Sequence, residues 1–415
     1  MKAHVRAASR LLSGAGLAAA LLLPPAGSAL AAQPPLHPAA DGKGQQLPGM
    51  PSALDPDAGQ EACTPASDAT AKKQDWSRQR LDLERVHRHS TGAGVTVALI
   101  DTGVDPEAAG LDGRVTAQGA AGDDCVGHGT FLAGLVAGTG GTTPGLAGVA
   151  PGARILALRG TDTYGRAEST LVVDALRAAV AARADVIAVG VALPRRDPAL
   201  SRAVADAREA GAVVVAAATP DPPSRGGGEE TPARTYYPAG EPGVLSVADM
   251  LPSGARPEGS PRTGGIDLAA PGAGVVSGGP RGDGHYLGGG AAVATAYAAG
   301  AAAVVRAAHP DASPAAVTRR LTATAYPADI PQLDPYAAVT TVLEGSPGTA
   351  RAEGGSTPVA VRDTSAAEGV THRATLFVLV GSAGVLCVLW AAFAYPRARA
   401  RGWRPAEAGT GTDQR

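Results

Sequence analysis

The sequence predicts an α/β fold: a mostly parallel β-sheet flanked by helices on both faces, followed by one C-terminal transmembrane helix. Short β-branched runs alternate with longer segments of helical period, which is the pattern of βαβ units. The runs are apolar without interruption, as strands covered on both faces are. A long uncharged stretch near the C-terminus stands alone behind a linker rich in Gly, Ser, Thr and Pro.

Residues 1–31 read as a secretory signal peptide. Lys2, Arg6 and Arg10 precede an apolar stretch from Leu11 to Leu23, and Ala29-x-Ala31 supplies the cleavage site. The alternative is an uncleaved N-terminal anchor, and either one exports the main domain. Residues 32–75 form an N-terminal extension, rich in Pro, Gly and Asp as far as Glu61 and without apolar periodicity.

The main domain spans residues 76–343. Val95 to Ile100 reads as a buried strand ending at Asp101, and His128 to Gly138 as a helix whose apolar positions are Phe131, Leu132, Leu135 and Val136. Strand signals follow at Ala153 to Gly160, Asp185 to Val191 and Ala212 to Ala218, with helical segments at Ser169 to Arg183 and Pro198 to Gly211. Chemistry on such sheets gathers beyond the carboxyl ends of the strands, where Asp101 and Thr219 fall.

Residues 344–373 are expected to be a flexible linker. Ala374 to Tyr395 is 22 residues without a charge, roughly 33 Å of helix and enough to cross a hydrocarbon core. The tail 396–415 carries Arg397, Arg399, Arg401 and Arg404, so the tail is expected in the cytoplasm and the domain outside the cell membrane.

A formal net charge of -2 and a pI of about 6.5 give no basic surface for phosphates, which argues against nucleic acid as a partner. Aromatic residues are only 3% of the chain and 56 residues are Gly, so the core must be packed from Ala, Val, Leu and Ile. Cys63 and Cys125 lie in the exported part, where an oxidising environment suggests one disulfide; two free thiols are the alternative. Closing a loop of this length contributes ~4 kcal/mol on the chain-entropy model.

Asp101 opens DTGVD after an apolar strand, a place from which a carboxylate can orient an imidazole. Aspartic proteases also use Asp-Thr-Gly but need two such carboxylates, and no second copy occurs. His128 stands in GHGT, 27 positions on, at the start of an apolar helix. A single Gly-His-Gly is often structural. Asp123 and Asp124 read as solvated loop carboxylates, with cation binding as the alternative, and no metal cluster or cofactor motif is visible.

In order, VALIDTGVD, DDCVGHGTFLAGLVAG, GVAPGARILALR, YYPAGEPGVLSVA, DLAAPGAGVVS and AYAAGAAAVVRAAHP closely resemble the subtilisin family of serine proteases. The paired cysteines, the export signal and the C-terminal membrane helix make the layout similar to that of the mycosins, membrane-anchored proteases associated with type VII secretion. The resemblance implies a subtilisin-like fold and carries Asp101 and His128 onto the first two triad positions.

Three other sites depart from the family. The Gly-Thr-Ser-x-Ala-x-Pro motif aligns with Gly290 to Ala296, which puts Ala292 where the nucleophilic serine should stand. The oxyanion asparagine aligns with Thr219. The Ser-x-Gly-Gly groove strand aligns with Gly190 to Leu193, where Ala192 and Leu193 replace the glycines and are expected to crowd an extended peptide. Within this family, losing the serine alone costs about 10⁶ in kcat. Thr295 and Ser277 are the nearest hydroxyls in sequence, and neither is expected to take over.

The resemblance with these departures implies an inactive, membrane-anchored pseudoprotease that binds type VII secretion membrane components or exported proteins. The alternative is a serine endopeptidase with residual or unconventional activity.

Overall fold

The structure, a computed structural model, describes residues 46–56, 63–111, 113–141, 143–222, 231–343 and 365–402. The segments expected as signal peptide, as the start of the extension and as linker up to residue 364 lie outside the described residues, as does the tail beyond residue 402.

Seven strands form one parallel sheet: β1 (Thr96–Asp101), β2 (Val115–Ala117), β3 (Arg154–Arg159), β4 (Val186–Val189), β5 (Val213–Ala217), β6 (Leu245–Met250) and β7 (Leu268–Pro271). Their order is β2-β3-β1-β4-β5-β6-β7, and each pairing is parallel. β8 (Val275–Gly278) and β9 (His285–Gly288) make a separate antiparallel hairpin.

The helices are α1 (Trp76–Arg80), α2 (Leu83–His89), α3 (His128–Ala137), α4 (Ser169–Ala181), α5 (Pro198–Glu209), α6 (Ala291–Ala308), α7 (Pro314–Ala323), α8 (Pro335–Thr340) and α9 (Ser365–Ala400). Alternate strand residues feed two cores. Val97 and Leu99 join Leu132, Leu135 and the buried length of α6 on one face. Ala98 and Ile100 join Leu176 of α4 and Leu200 of α5 on the other. A strand apolar at every position is thus explained by helices on both sides.

α6 packs closely against the segment that follows α3: Gly300 sits where a Cβ would come 2.6 Å from Val149. That helix is as long and apolar as a membrane span but is mostly buried inside the domain. Phe377–Ala400 is the other described segment that is long and apolar enough to cross a membrane. α9 starts at Ser365, so residues 365–373, expected as linker, are helical instead. Propagation from an established helix costs little, which is why an apolar-run boundary undercounts its length.

Cys63 and Cys125 are joined in a disulfide that ties the extension to the turn before α3. The Thr64 N–H donates to the Cys125 carbonyl at 2.9 Å and its hydroxyl to the Val126 carbonyl at 2.6 Å. Residues 46–56 are pinned to the domain by backbone bonds near both ends. Met50 N–H donates to the Leu287 carbonyl at 2.7 Å, and Leu54 N–H to the Tyr164 carbonyl at 2.8 Å.

Candidate functional site: an Asp-His-Asp centre

Asp101 ends β1 and is almost fully buried. Its Oδ1 accepts from the Thr102 N–H at 2.8 Å and lies 2.8 Å from His128 Nδ1. His128 opens α3, and its position is set by Asp124. That carboxylate accepts from the Thr102 hydroxyl, the Gly127 N–H, and the N–H and hydroxyl of Thr130, all within 2.9 Å. Asp124 is therefore neither a solvated loop residue nor a cation ligand. It is buried, and protein donors occupy both of its oxygens. Burial pushes its carboxyl pKa up, against the pull of those donors.

The second ring nitrogen of His128 meets a residue that the motifs did not reveal. Nε2 lies 3.1 Å from Oδ2 of Asp221, in the loop after β5. Asp221 Oδ1 accepts the N–H of Ala292 at 2.9 Å. A carboxylate thus fills the space between the imidazole and the N-terminus of α6. Pro220 and Pro222 flank Asp221 and restrict its backbone. Gly290 makes the room: its φ is +122°, and a Cβ there would come 2.2 Å from Asp221 Oδ1.

Burial by itself would lower the His128 pKa, but the Asp101 carboxylate and then Asp221 outweigh it and hold the ring well above its ordinary value. Both ring nitrogens thus have a carboxylate partner, Asp101 at Nδ1 and Asp221 at Nε2, and Nε2 is the atom that a triad would turn toward its nucleophile.

The remaining sequence-derived positions fall as follows. Ala292, the position that the sequence motif aligns with the family's serine, is buried in the first turn of α6. Thr219 is buried and lines the larger cavity, but the group that takes the Ala292 N–H is the carboxylate two residues on. Gly190 packs against Asp101, where a Cβ would come 2.2 Å from Oδ2. That Oδ2 is buried and has no hydrogen-bond partner among the described residues.

Ala192 lines the smaller cavity. Leu193 does not crowd the groove as expected: its side chain belongs to the core beside α4 and α5. Its backbone closes the strand instead, since Leu193 N–H donates to Tyr237 at 2.7 Å and Tyr237 N–H returns to Leu193 at 2.9 Å. The Ser277 hydroxyl donates to the Phe131 carbonyl and the Thr295 hydroxyl to the Ala291 carbonyl, each at 2.8 Å, and neither reaches His128.

Two cavities meet at this centre. The larger, about 630 Å³, is lined by Met50, Phe131, Thr219, Asp249, Leu287 and Gly290 among others. The smaller, about 260 Å³, is lined by Asp101, Thr161, Gly190, Ala192 and Asp221 among others. His128, Ser52 and Pro220 line both. Among the described residues, no three His, Cys, Asp or Glu side chains are grouped to hold a metal ion.

A parallel seven-stranded sheet with an Asp-His pair at the end of β1 and the start of α3 defines a subtilisin-like domain. The model of the peptidase S8 (subtilase) family matches residues 92–364, and the chain belongs to that family. Mycosin-3 of Mycobacterium tuberculosis (strain ATCC 25618 / H37Rv) is 31% identical over 385 residues, covering 76% of this chain and 82% of the relative. Mycosin-1 of the same organism is 32% identical over 302 residues, covering 60% and 68%. Among solved structures, MycP1, described as a serine protease and an essential component of the type VII (ESX-1) secretion system, superposes with a TM-score of 0.57 at 28% identity. The match covers 72% of this protein and 96% of that one.

Proposed function

We propose that this protein is a membrane-anchored, extracytoplasmic pseudoprotease, a structural or binding component of a type VII secretion system. The observation that carries the non-catalytic reading is the Asp221 carboxylate held between His128 and the Ala292 N–H. It stands where a nucleophile and a developing oxyanion would have to be, and it helps keep the candidate base protonated. The likeness to mycosins and to MycP1 supports the secretion role, and the apolar C-terminal helix supports the anchor, with the basic tail inside.

Fluorophosphonate labelling of the purified full-length protein tests the chemistry. No adduct is expected at any Ser or Thr, and a stoichiometric adduct overturns the inactive reading. Deleting the gene and adding back the full-length protein tests the role. Secretion through the type VII system should fall and recover, and secretion unaffected by the deletion overturns it.

A further inference from the structure

We infer that the space between His128 and the N-terminus of α6 is a carboxylate-binding cradle, and that Asp221 is its built-in ligand. The ligand class is a free carboxylate, either a small one or the C-terminal carboxylate of a peptide lying in the cleft. The inference rests on the non-catalytic reading of the same centre and names what the centre recognises.

Two donors of different origin converge on one carboxylate. The His128 side chain is only 7% exposed, and its Nε2 reaches Oδ2 at 3.1 Å. The Ala292 N–H, in the first turn of an 18-residue helix, reaches Oδ1 at 2.9 Å. The helix contributes the positive end of its dipole and His128 a ring nitrogen whose protonated form the surrounding carboxylates favour, so the pair favours an anion over a neutral amide of the same shape. Gly290 completes the cradle, because any Cβ there would overlap the carboxylate.

Asp221 is not fixed there by further hydrogen bonds from its own carboxylate. Its two oxygens bond only to His128 and Ala292 among the described residues. It also lines the smaller cavity, while His128, Gly290 and Ala291 line the larger one. A carboxylate entering along the cleft therefore reaches the same two donors once the Asp221 side chain is out of the way. An intramolecular ligand competes at high effective concentration, so an external carboxylate binds the native protein weakly unless a partner also engages the cleft.

The test uses the full-length protein in detergent, as wild type and Asp221→Ala, titrated with acetate, with neutral acetamide, and with N-acetyl-alanyl-alanine as its free acid and its amide. Melting temperature and the His128 ring resonances are read. In Asp221→Ala, acetate and the free acid should raise the melting temperature in a saturable way and hold the His128 ring protonated to higher pH. The two amides should do neither. Wild type should need at least about tenfold more ligand for the same response.

A free acid that binds about tenfold or more tightly than acetate assigns the cradle to the C-termini of peptides; equal affinity assigns it to small carboxylates. Equal response to acids and amides, or none in a cooperatively folded Asp221→Ala, overturns the inference. If Asp221→Ala folds only with help, recovery in acetate but not acetamide supports the cradle, and recovery in neither overturns it.

Discussion

Two helices begin at the centre, and the N-terminus of each meets a buried carboxylate reached by a different route. At α3 the carboxylate is Asp124, four residues before His128, and it accepts from the N–H of Gly127 and of Thr130. At α6 it is Asp221, 71 positions away, and it accepts the Ala292 N–H. The first arrangement is a local cap, which fixes where the histidine points. The second joins separate elements and decides what the histidine can do. The α3 end holds the Asp101–His128 pair together, while the α6 end brings Asp221 against the other nitrogen of the ring.

The largest effect is expected from removing the local cap. Asp124→Ala strands the Gly127 and Thr130 N–H groups and the Thr102 hydroxyl in the interior. The expected loss is about 4 kcal/mol, seen as a lower denaturation midpoint. Asp221→Ala leaves Asp101 as the remaining partner of the charged ring and is expected to cost about 3 kcal/mol. If that order is reversed, the remote carboxylate rather than the cap holds the centre together.

The pH dependence sharpens the same contrast. His128 has a folded pKa raised above its unfolded value, so its stabilisation is complete below about pH 6.5 and fades as pH climbs toward the folded value. Stability is expected to decline from about pH 6.5 upward by as much as ~1.4 kcal/mol per pH unit. His128→Gln should flatten that slope in urea titrations run across the range. A slope that persists in His128→Gln would assign the effect to another group.

The smallest change is expected from the substitution that looks most direct. Ala292→Ser alone should shift stability by about 1 kcal/mol or less and leave fluorophosphonate labelling at background, because Asp221 still occupies His128 Nε2. Combined with Asp221→Gly, labelling at position 292 should rise about 10²-fold, the ordinary worth of a general base. Equal labelling in the single and double variants would show that Asp221 does not control the histidine.

Much of the fold was legible residue by residue. VTVALI and AVVVAAA are apolar at consecutive positions because each face of the sheet has its own helical layer, and the strands lie within a residue or two of where the runs predict them. The start of α9 was read too late, since helix extends past the apolar run that announces it. At the site, Asp101 and His128 stood out in motifs, whereas Asp221 did not. Its signal was a carboxylate between two prolines, directly after a buried strand in the same sheet as Asp101. Leu193 was misread because a strand residue's facing depends on the pairing it makes, here with Tyr237.

The sequence by itself determined the α/β class, the apolar C-terminal helix, the Asp-His pair and the absence of a serine at position 292. Those features are local, fixed by residue type and period within a few positions. Only the tertiary structure decided what meets His128 and the start of α6. Asp221 and Ala292 meet because β5 and the start of α6 converge at one end of the sheet, and no spacing along the sequence reports that meeting. The raised pKa of His128 follows from the same convergence, since carboxylates around a ring in space favour its protonated form.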